Sequence, residues 1–273
     1  MDSHLQSSLQ KAQTPVQEGL DENRLQSIGM TSQSAPLSEL TMPGLHRSLL
    51  PQIMPLEGLS PDLPILDLAC GTGAWLKRLH SVGYNNLWGV DRDAQGFAAG
   101  DVAHFIPADL DCADEILARL GNRKFALATM IEIIEHMADP TGLVRLARDA
   151  LEPGGWLLIT SPNIYSLRAR ARFLLRPKIP YFESASHTQI QVDHLHPLMI
   201  EAYERKIFKP LGLSLTHVWT FPESGSSSSR WFARVVERAL RLMLNDELSG
   251  DTICLLLRKA SNETLPISTA HAR

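Results

Sequence analysis

Apolar runs of the length of buried strands alternate along this chain with segments whose apolar residues recur at helical spacing. The runs expected to form strands are LPILDLA, NLWGVD, HFIPADL, KFALATMI, WLLITSPN, LSLTHVWTF and DTICLLLRKA. The segments expected to form helices are HRSLLPQIMPL, GAWLKRLHSVG, ADEILARLG, DPTGLVRLARDAL and RWFARVVERALRLML. SLRARARFLLRPKIPYFE is expected to form an amphipathic helix followed by a loop, and DHLHPLMIEAYERKIFKPLG a loop and a helix. This alternation predicts an α/β fold with a mostly parallel sheet, helices on both faces and ligands at the carboxyl ends of the strands.

The same pattern suggests where the folded domain begins and ends. Residues 1–42 are polar with weak periodicity, and we expect them to form a disordered N-terminal tail. Residues 43–260 are expected to form one domain, in which 164–210, where the alternation loosens, would cover a substrate. Residues 261–273 are expected to form a disordered C-terminal tail, EPGG a turn and PESGSSSS a flexible loop.

Composition narrows the function classes. The formal net charge of -4 argues against a generally basic nucleic-acid binder, although a local basic patch is compatible with it. The 3 cysteines are too few and too scattered for a disulfide framework or a thiolate zinc site. No apolar run reaches the roughly 18 residues of a membrane helix, and the N-terminus lacks the apolar core of a signal peptide. We therefore expect a cytoplasmic protein without a transmembrane segment.

The stretch ILDLACGTGAW joins the first predicted strand to a helix through a glycine loop. Gly71 and Gly73 match the first two glycines of the dinucleotide fingerprint, but Leu76 stands in the third position. Pyrophosphate cofactors such as NAD and FAD are therefore disfavoured. The loop also lacks the Lys-Ser/Thr pair with which a P-loop binds phosphates.

Three acids at successive strand ends suggest which ligand the loop binds. The Asp67 carboxylate suits a cationic or amine-bearing group, and Asp91, 20 residues after Gly71, can accept hydrogen bonds from both ribose hydroxyls. Asp109 could meet the edge of an adenine. Each acid alone could be a helix cap or a turn residue, but their coincidence at successive strand ends favours a ligand. S-adenosylmethionine combines ribose, adenine and an amino-acid group without phosphates.

Four motifs resemble those of the class I S-adenosylmethionine-dependent methyltransferases: LDLACGTG, GVDRD, PADL and LEPGGWLLITSPN. The resemblance covers roughly residues 45 to 260, with Ala69 where many members have glycine. It implies a Rossmann-like seven-stranded sheet with an antiparallel last strand, and methyl transfer as the activity. It also implies that the cofactor is bound by Asp67, Ala69, Gly71, Gly73, Asp91, Arg92, Asp109, Leu110 and Ile131.

The stretch IEIIEHMADP after the fourth strand carries candidate catalytic or metal-binding residues. If a helical turn begins there, Glu132, Glu135 and His136 share one face. Together they could bind Mg²⁺ or Mn²⁺, and His194 or His196 of DHLHP could add a ligand or a base. In one alternative, Glu132 touches the cofactor, while Glu135 and His136 line the pocket or cap the helix. In another, His136 acts as a general base without a metal.

The E-x-x-E-H spacing resembles that of the small-RNA 3′-terminal 2′-O-methyltransferases and is similar to that of the ubiquinone-pathway O-methyltransferases. The resemblance implies a metal set of Glu132, Glu135 and His136, completed by a later histidine, for which we choose His196. We assign Glu135, His136 and His194 to catalysis. A metal would lower the pKa of an acceptor hydroxyl and orient it towards the methyl group.

A third feature lies in SLRARARFLLRPKIP, where Arg168, Arg172 and Arg176 form one helical stripe. No acid occurs from Pro153 to Phe182. The stripe could be a solvated face, or it could contact a phosphate-bearing substrate or an anionic membrane surface. The segment is also similar to bacterial methyltransferases associated with surface-polysaccharide or lipid modification.

The leading hypothesis is a methyltransferase that uses S-adenosylmethionine to methylate a hydroxyl of a small-molecule, lipid or sugar substrate. A metal-dependent RNA 2′-O-methyltransferase is disfavoured, because aromatic residues make up only 6% and the net charge is negative. A non-catalytic cofactor-binding relative is disfavoured by the intact acids at the strand ends. An NAD-dependent oxidoreductase ranks last because of Leu76.

Overall fold

The computed structural model describes residues 37–175, 182, 194–221, 248 and 250–261. Its strands are β1 (Ile65–Leu68), β2 (Leu87–Asp91), β3 (Ala103–Pro107), β4 (Phe125–Ile131), β5 (Leu151–Pro162), β6 (Leu213–Phe221) and β7 (Thr252–Lys259). Its helices are α1 (Leu45–Ile53), α2 (Ala74–Ser81), α3 (Ala113–Leu120), α4 (Pro140–Ala150), α5 (Leu167–Leu175) and α6 (Ile200–Tyr203). Short turns follow at Ile134–His136 (3₁₀), Glu204–Phe208 (π) and Lys209–Leu211 (3₁₀). The predicted helix RWFARVVERALRLML lies outside the described residues.

The seven strands form one sheet in the order β3-β2-β1-β4-β5-β7-β6. Strands β1 to β5 are parallel, and β7 runs antiparallel to both β5 and β6. The predicted fold class, including the antiparallel last strand, is confirmed. The chain leaves β1 towards β2 on one side and reaches β4 on the other, so the carboxyl end of β1 is a switch point, where ligands bind in such sheets.

Apolar residues cover both faces of the sheet because side chains alternate along each strand. Leu127 and Leu158 pack on one face with residues of α1 and α2. Their neighbours Ala128 and Leu157 pack on the other face with residues of α3 and α4. Two buried faces explain why the central strands are almost entirely apolar, and why a polar residue within them is informative.

The predicted turn EPGG lies inside β5 rather than before it. Phe125 of β4 pairs with Leu151, and Leu127 pairs with Trp156, so the intervening residues bulge out of the ladder. Gly154 takes a left-handed φ of 80° there, which glycine adopts without steric cost. EPGG is therefore an interruption within β5, with pairing to β4 on both sides of it, rather than a turn that precedes the strand.

Residues 37–42 of the segment expected to be a disordered tail are described in the structure. Together with residues 43 and 44 they form a segment, here called the N-terminal strap, that lies against the glycine loop. The Thr72 hydroxyl donates a hydrogen bond to the Ser38 carbonyl over 2.9 Å. Glu39 forms an ion pair with Arg78 of α2. A Cβ added at Gly71 would lie 3.1 Å from Leu40. The strap therefore covers part of the loop.

Helix α5 begins within the predicted SLRARARFLLRPKIPYFE segment. Of the three stripe arginines, Arg172 is exposed, the side chain of Arg168 is not described and Arg176 lies outside the described residues. Across the described ranges, no helix is both long and apolar enough to cross a membrane.

Candidate active site

The glycine loop turns the chain from β1 into α2 through left-handed residues. Ala69, Gly71 and Gly73 have φ angles of 68°, 51° and 81°. A Cβ at Gly73 would overlap the Ala99 side chain and lie 2.9 Å from Phe97 Cε2. Gly73 is therefore required both by its backbone conformation and by the close packing of the segment after β2.

Asp91 at the end of β2 holds the loop in place. Its Oδ2 accepts a hydrogen bond from the Gly71 N–H over 2.8 Å, and its Oδ1 accepts one from the Asp93 N–H over 2.9 Å. Two carboxylate oxygens offer about four acceptor positions, so two remain for the hydroxyls of a ribose. Arg92, beside it, is exposed.

Asp67 is buried within β1 and is 3% exposed. The Thr129 hydroxyl of β4 donates a 2.6 Å hydrogen bond to Asp67 Oδ1. Burial raises the pKa of Asp67 to about 7; the Thr129 bond lowers it and the charge of Asp91 raises it. A neighbouring cation would favour the ionised form. Our sequence analysis missed Thr129, although a hydroxyl in the apolar run FALATMI was a visible signal.

The remaining predicted cofactor residues lie at adjoining strand ends. Asp109 follows β3 and is exposed, and its Oδ1 accepts a hydrogen bond from the Asp111 N–H over 3.1 Å. Leu110 and Ile131 are 8% and 7% exposed. The nine predicted cofactor residues therefore occur at the carboxyl ends of four adjacent strands, β3, β2, β1 and β4.

A second group of side chains forms just after β4. One ligand atom from each of Glu135, His136 and His194 lies within 4.8 Å of the others. The two imidazole rings are 4.6 Å apart between centroids. These are the three residues that we assign to catalysis, and we call them the Glu135 cluster.

Glu135 is the most unusual member of this cluster because it is 1% exposed. Neither of its carboxylate oxygens has a hydrogen-bond partner among the described residues. Burial and the neighbouring Glu132 charge raise its pKa to about 8, and its own backbone and the Ser161 hydroxyl lower it. Ser161 acts here by proximity, since its hydroxyl is likewise unpartnered among the described residues. Such a buried, unpaired acid requires a physical reason.

Glu132 does not join the Glu135 cluster, contrary to the predicted metal set. The 3₁₀ turn spans only Ile134–His136, and Glu132 precedes it with a left-handed φ of 52°, so the expected helical face does not form. Its carboxylate accepts a hydrogen bond from the Thr252 hydroxyl over 3.3 Å. Burial raises the pKa of Glu132, and the hydrogen bonds from the Thr252 hydroxyl and from the Met42 backbone N–H of the N-terminal strap oppose that rise.

His196 also lies outside the Glu135 cluster, where His194 takes the position that we expected for it. The backbone N–H groups of Leu195 and His196 both donate to the Glu135 carbonyl, over 2.6 Å and 3.1 Å. Consecutive N–H groups of an extended chain point in opposite directions, so two such donors on one carbonyl show that the chain is not extended at Leu195 and His196.

Tyr203 is a further neighbour of the cluster that our sequence analysis missed. Burial, followed by the charge of Glu135, raises the pKa of Tyr203 to about 12. Tyr203 comes from α6, far along the chain from β4. Nothing in its local sequence marked it as part of this site.

The sequence of a known family matches the part of the chain that carries this geometry. The matching family model is described as a methyltransferase domain, and it covers residues 41–218. The chain belongs to this family. The predicted resemblance to the S-adenosylmethionine-dependent methyltransferases is confirmed, and the family implies S-adenosylmethionine as the cofactor.

Curated relatives match a shorter region. The ubiquinone biosynthesis O-methyltransferase of Paraburkholderia phymatum is 27% identical over 104 residues, which are 36% of this chain and 44% of that protein. The corresponding enzyme of Hydrogenovibrio crunogenus is 26% identical over 104 residues, 36% of this chain and 42% of that protein. The chain thus spans less than half the length of these curated relatives.

Solved structures share the fold across most of the chain. A SAM-dependent methyltransferase from Archaeoglobus fulgidus aligns with a TM-score of 0.53 and 22% identity, over 78% of this chain and 92% of that one. A SAM-dependent methyltransferase from Anabaena variabilis aligns with a TM-score of 0.52 and 14% identity, over 78% of this chain and 83% of that one. The [4+2]-cyclase SpnF aligns with a TM-score of 0.50 and 14% identity, over 80% of this chain and 81% of that one. These similarities show the fold, which is shared by proteins described as having different activities.

Proposed function

We propose that this protein transfers a methyl group from S-adenosylmethionine to a hydroxyl of a small-molecule, lipid or sugar acceptor. The observation that carries the proposal is the Glu135 cluster, in which a buried carboxyl and two imidazoles lie within 4.8 Å after β4. Strand β4 pairs directly with β1, which leads into the glycine loop. Candidate acid–base residues thus lie beside the strand end where the cofactor is expected.

The cofactor residues fit this role in three ways. Asp91 holds the loop and has acceptor capacity left for ribose hydroxyls. Asp67 is buried, and its ionised form would be favoured by the positive charges of the amino-acid end. Gly73 allows the loop to pack against Ala99 and Phe97. When bound, S-adenosylmethionine supplies a methyl group on a sulfonium, whose sulfur leaves readily as the neutral thioether of S-adenosylhomocysteine.

The cluster residues would act on the acceptor. An imidazole of His136 or His194 would take the proton of the acceptor hydroxyl as the oxygen becomes nucleophilic. Glu135 lies within 4.8 Å of both histidines, and in its ionised form it would stabilise the imidazolium that results. The hydroxyl acceptor is supported by the curated relatives, which are O-methyltransferases. The lipid acceptors included in this proposal would carry their hydroxyl in or on a membrane.

A metal-assisted version is the second candidate, and the grouping of Glu135, His136 and His194 favours it. One carboxylate with two imidazoles suits Mn²⁺ better than Mg²⁺, which prefers oxygen ligands. The unpartnered Glu135 carboxylate fits such an ion, and the ion would lower the pKa of an acceptor hydroxyl. In this version Glu135, His136 and His194 hold the metal, while Glu132 and His196 do not.

The test is a calorimetric titration of S-adenosylhomocysteine into the full chain, first with EDTA and then with Mn²⁺. Binding under both conditions is the expected result, and its absence in both would overturn the proposal. Mn²⁺ is then titrated into the loaded protein. Heat that is lost in His194→Gln but kept in His196→Gln supports the metal-assisted version, because only His194 belongs to the cluster. Heat lost equally in both variants, or no heat, rejects that version.

A further inference from the structure

Exposed apolar side chains are concentrated on two segments that follow β5 in the chain. Among the described residues, the exposed large hydrophobic residues outside the N-terminal strap all lie on α5 or on the loop 194–199. They are Phe173, Leu174, Leu175, Leu195 and Met199. Single exposed apolar residues are normal, but a concentration on neighbouring segments points to an interaction surface.

Helix α5 has two different faces. Ala169 is 1% exposed and packs inward, whereas Leu174 and Leu175 are each 85% exposed. With roughly 3.6 residues per turn, the two leucines lie on either side of the direction opposite Ala169. By the same spacing, the exposed Arg170 and Arg172 lie on the two flanks of this leucine ridge. An outward apolar ridge between basic residues is typical of a helix that lies in a membrane interface.

The stretch of sequence around this ridge is free of acids. From Pro153 to Phe182 the sequence contains no aspartate or glutamate, and Arg172 is exposed. Anionic lipid headgroups complement such a surface. A single-stranded RNA would instead be met by aromatic side chains on which bases stack, and the most exposed residues here are leucines. The chemistry favours a lipid surface over a nucleic acid.

Both exposed segments are tied to the candidate active site. The hydroxyl of Tyr165, two residues before α5, accepts a hydrogen bond from the Ile200 N–H over 2.9 Å. The Leu195 N–H donates to the Glu135 carbonyl over 2.6 Å. The end of the loop is therefore joined to the start of α5, and its beginning is joined to the Glu135 cluster.

We propose that the outward face of α5 (Arg170, Arg172, Leu174 and Leu175) seats on an anionic lipid bilayer. The two leucines enter the headgroup region, and the two arginines contact anionic headgroups. The acceptor hydroxyl then reaches the Glu135 cluster from the membrane surface. This last statement rests on the proposed function, whereas the membrane contact itself requires no methyl transfer.

The experiment measures co-sedimentation of the full chain with vesicles of phosphatidylcholine alone, and of equal parts phosphatidylcholine and phosphatidylglycerol. We expect binding to the mixed vesicles that weakens as salt is added, and little binding to phosphatidylcholine alone. Leu174→Ser with Leu175→Ser should weaken binding about tenfold, and Arg172→Gln about fivefold. Arg145→Gln, at an exposed arginine of α4, is the matched control and should bind as the unaltered chain does.

Several results would overturn the inference. The first is that the chain does not bind the mixed vesicles, and the second is that all variants bind them equally. The third is that Leu174→Ser with Leu175→Ser disrupts a dimer of the chain, and the fourth is that the same substitutions weaken binding to RNA while vesicles are not bound. S-adenosylhomocysteine titration of each variant shows that the fold is intact. A chain that binds the nucleoside but no vesicles overturns this inference alone. A chain that binds vesicles but no nucleoside overturns the proposed function alone.

Discussion

Asp91 ends strand β2 and Glu135 follows strand β4 of the same sheet, but their carboxylates differ in burial and in hydrogen bonding. Asp91 accepts two backbone hydrogen bonds at 2.8 Å and 2.9 Å. Glu135 accepts none from the described residues and is almost completely buried. The Asp91 carboxylate is thus partnered by the loop that it organises, whereas burial of Glu135 beside Glu132 raises its pKa and disfavours its charge.

The difference separates the two halves of the site. The cofactor half is preorganised, since its carboxylate and glycines are fixed by contacts within the chain. In the acceptor half, the Glu135 carboxylate has no hydrogen-bond partner among the described residues. Changes in the first half should therefore affect cofactor binding and stability, and changes in the second should leave both almost intact.

The largest expected effect comes from Gly73→Ala. The new Cβ would overlap Ala99 and approach Phe97, so we expect about 3 kcal/mol of destabilisation and at least about tenfold weaker binding of S-adenosylhomocysteine. Gly58→Ala is the matched control, because Gly58 has a φ of 79° but no atom within 4 Å of the added Cβ. It should lose only about 1 kcal/mol from backbone strain. Urea unfolding measures both, and equal losses would contradict close packing at Gly73.

The next effect depends on pH and arises at Asp67. Its pKa is raised from 3.8 to about 7, so the folded protein holds this proton more tightly than the unfolded chain does. The contribution of Asp67 to stability therefore falls as pH rises through this window. As pH rises from about 4 to 7, the free energy of unfolding of Asp67→Asn should increase by on the order of 3 kcal/mol relative to that of the unaltered protein. Urea unfolding at several pH values measures this, with exposed Asp62→Asn as the control; parallel pH profiles for Asp67→Asn and the unaltered protein would contradict it.

A paired substitution tests the comparison directly. Asp91→Asn removes one charged acceptor from the loop and should weaken S-adenosylhomocysteine binding about thirtyfold, the equivalent of about 2 kcal/mol. Glu135→Gln should change the same affinity by less than about twofold, because no described hydrogen bond joins its carboxylate to the loop. Calorimetry measures both. Comparable losses would show that the two halves are not independent.

The smallest expected effect concerns the N-terminal strap. Glu39 lies beside Arg78 and within 3.7 Å of His46, so Glu39→Gln weakens the attachment of the strap by about 0.5 to 1 kcal/mol. Release of S-adenosylhomocysteine, followed by stopped-flow fluorescence, should accelerate about threefold. The control Glu57→Gln removes another glutamate–arginine pair, with Arg258, away from the loop. Acceleration in both variants would exclude a specific role for the strap.

Much of the architecture could be predicted because its signals are local. The run ILDLACGTGAW predicted a strand, a glycine loop and a helix in that order, and β1, the loop and α2 follow it. The 20-residue spacing from Gly71 placed Asp91 at the end of the next strand, and the structure adds that its carboxylate accepts a hydrogen bond from the Gly71 N–H. The fold class followed from the alternation of elements and from the family resemblance.

The acceptor half was harder to predict because its members meet only through distant contacts. The metal set assumed a helical turn at Glu132, but the chain takes a left-handed φ there and the turn starts later. His194, rather than His196, joins Glu135 and His136 because the loop is anchored to the Glu135 carbonyl. A spacing rule valid within one helix does not describe side chains from separate segments.

By itself, the sequence determined the order of strands and helices, the glycine loop and the acid that organises it, since apolar periodicity and backbone sterics act between near neighbours. Only the tertiary structure decided that Thr129 donates to Asp67, that Thr252 donates to Glu132, and that the Glu135 carboxylate is buried with no hydrogen-bond partner in the described part of the chain. Those properties depend on which side chains the sheet brings together and on how much water it excludes. Both are set by packing across the whole domain rather than by any short stretch of chain.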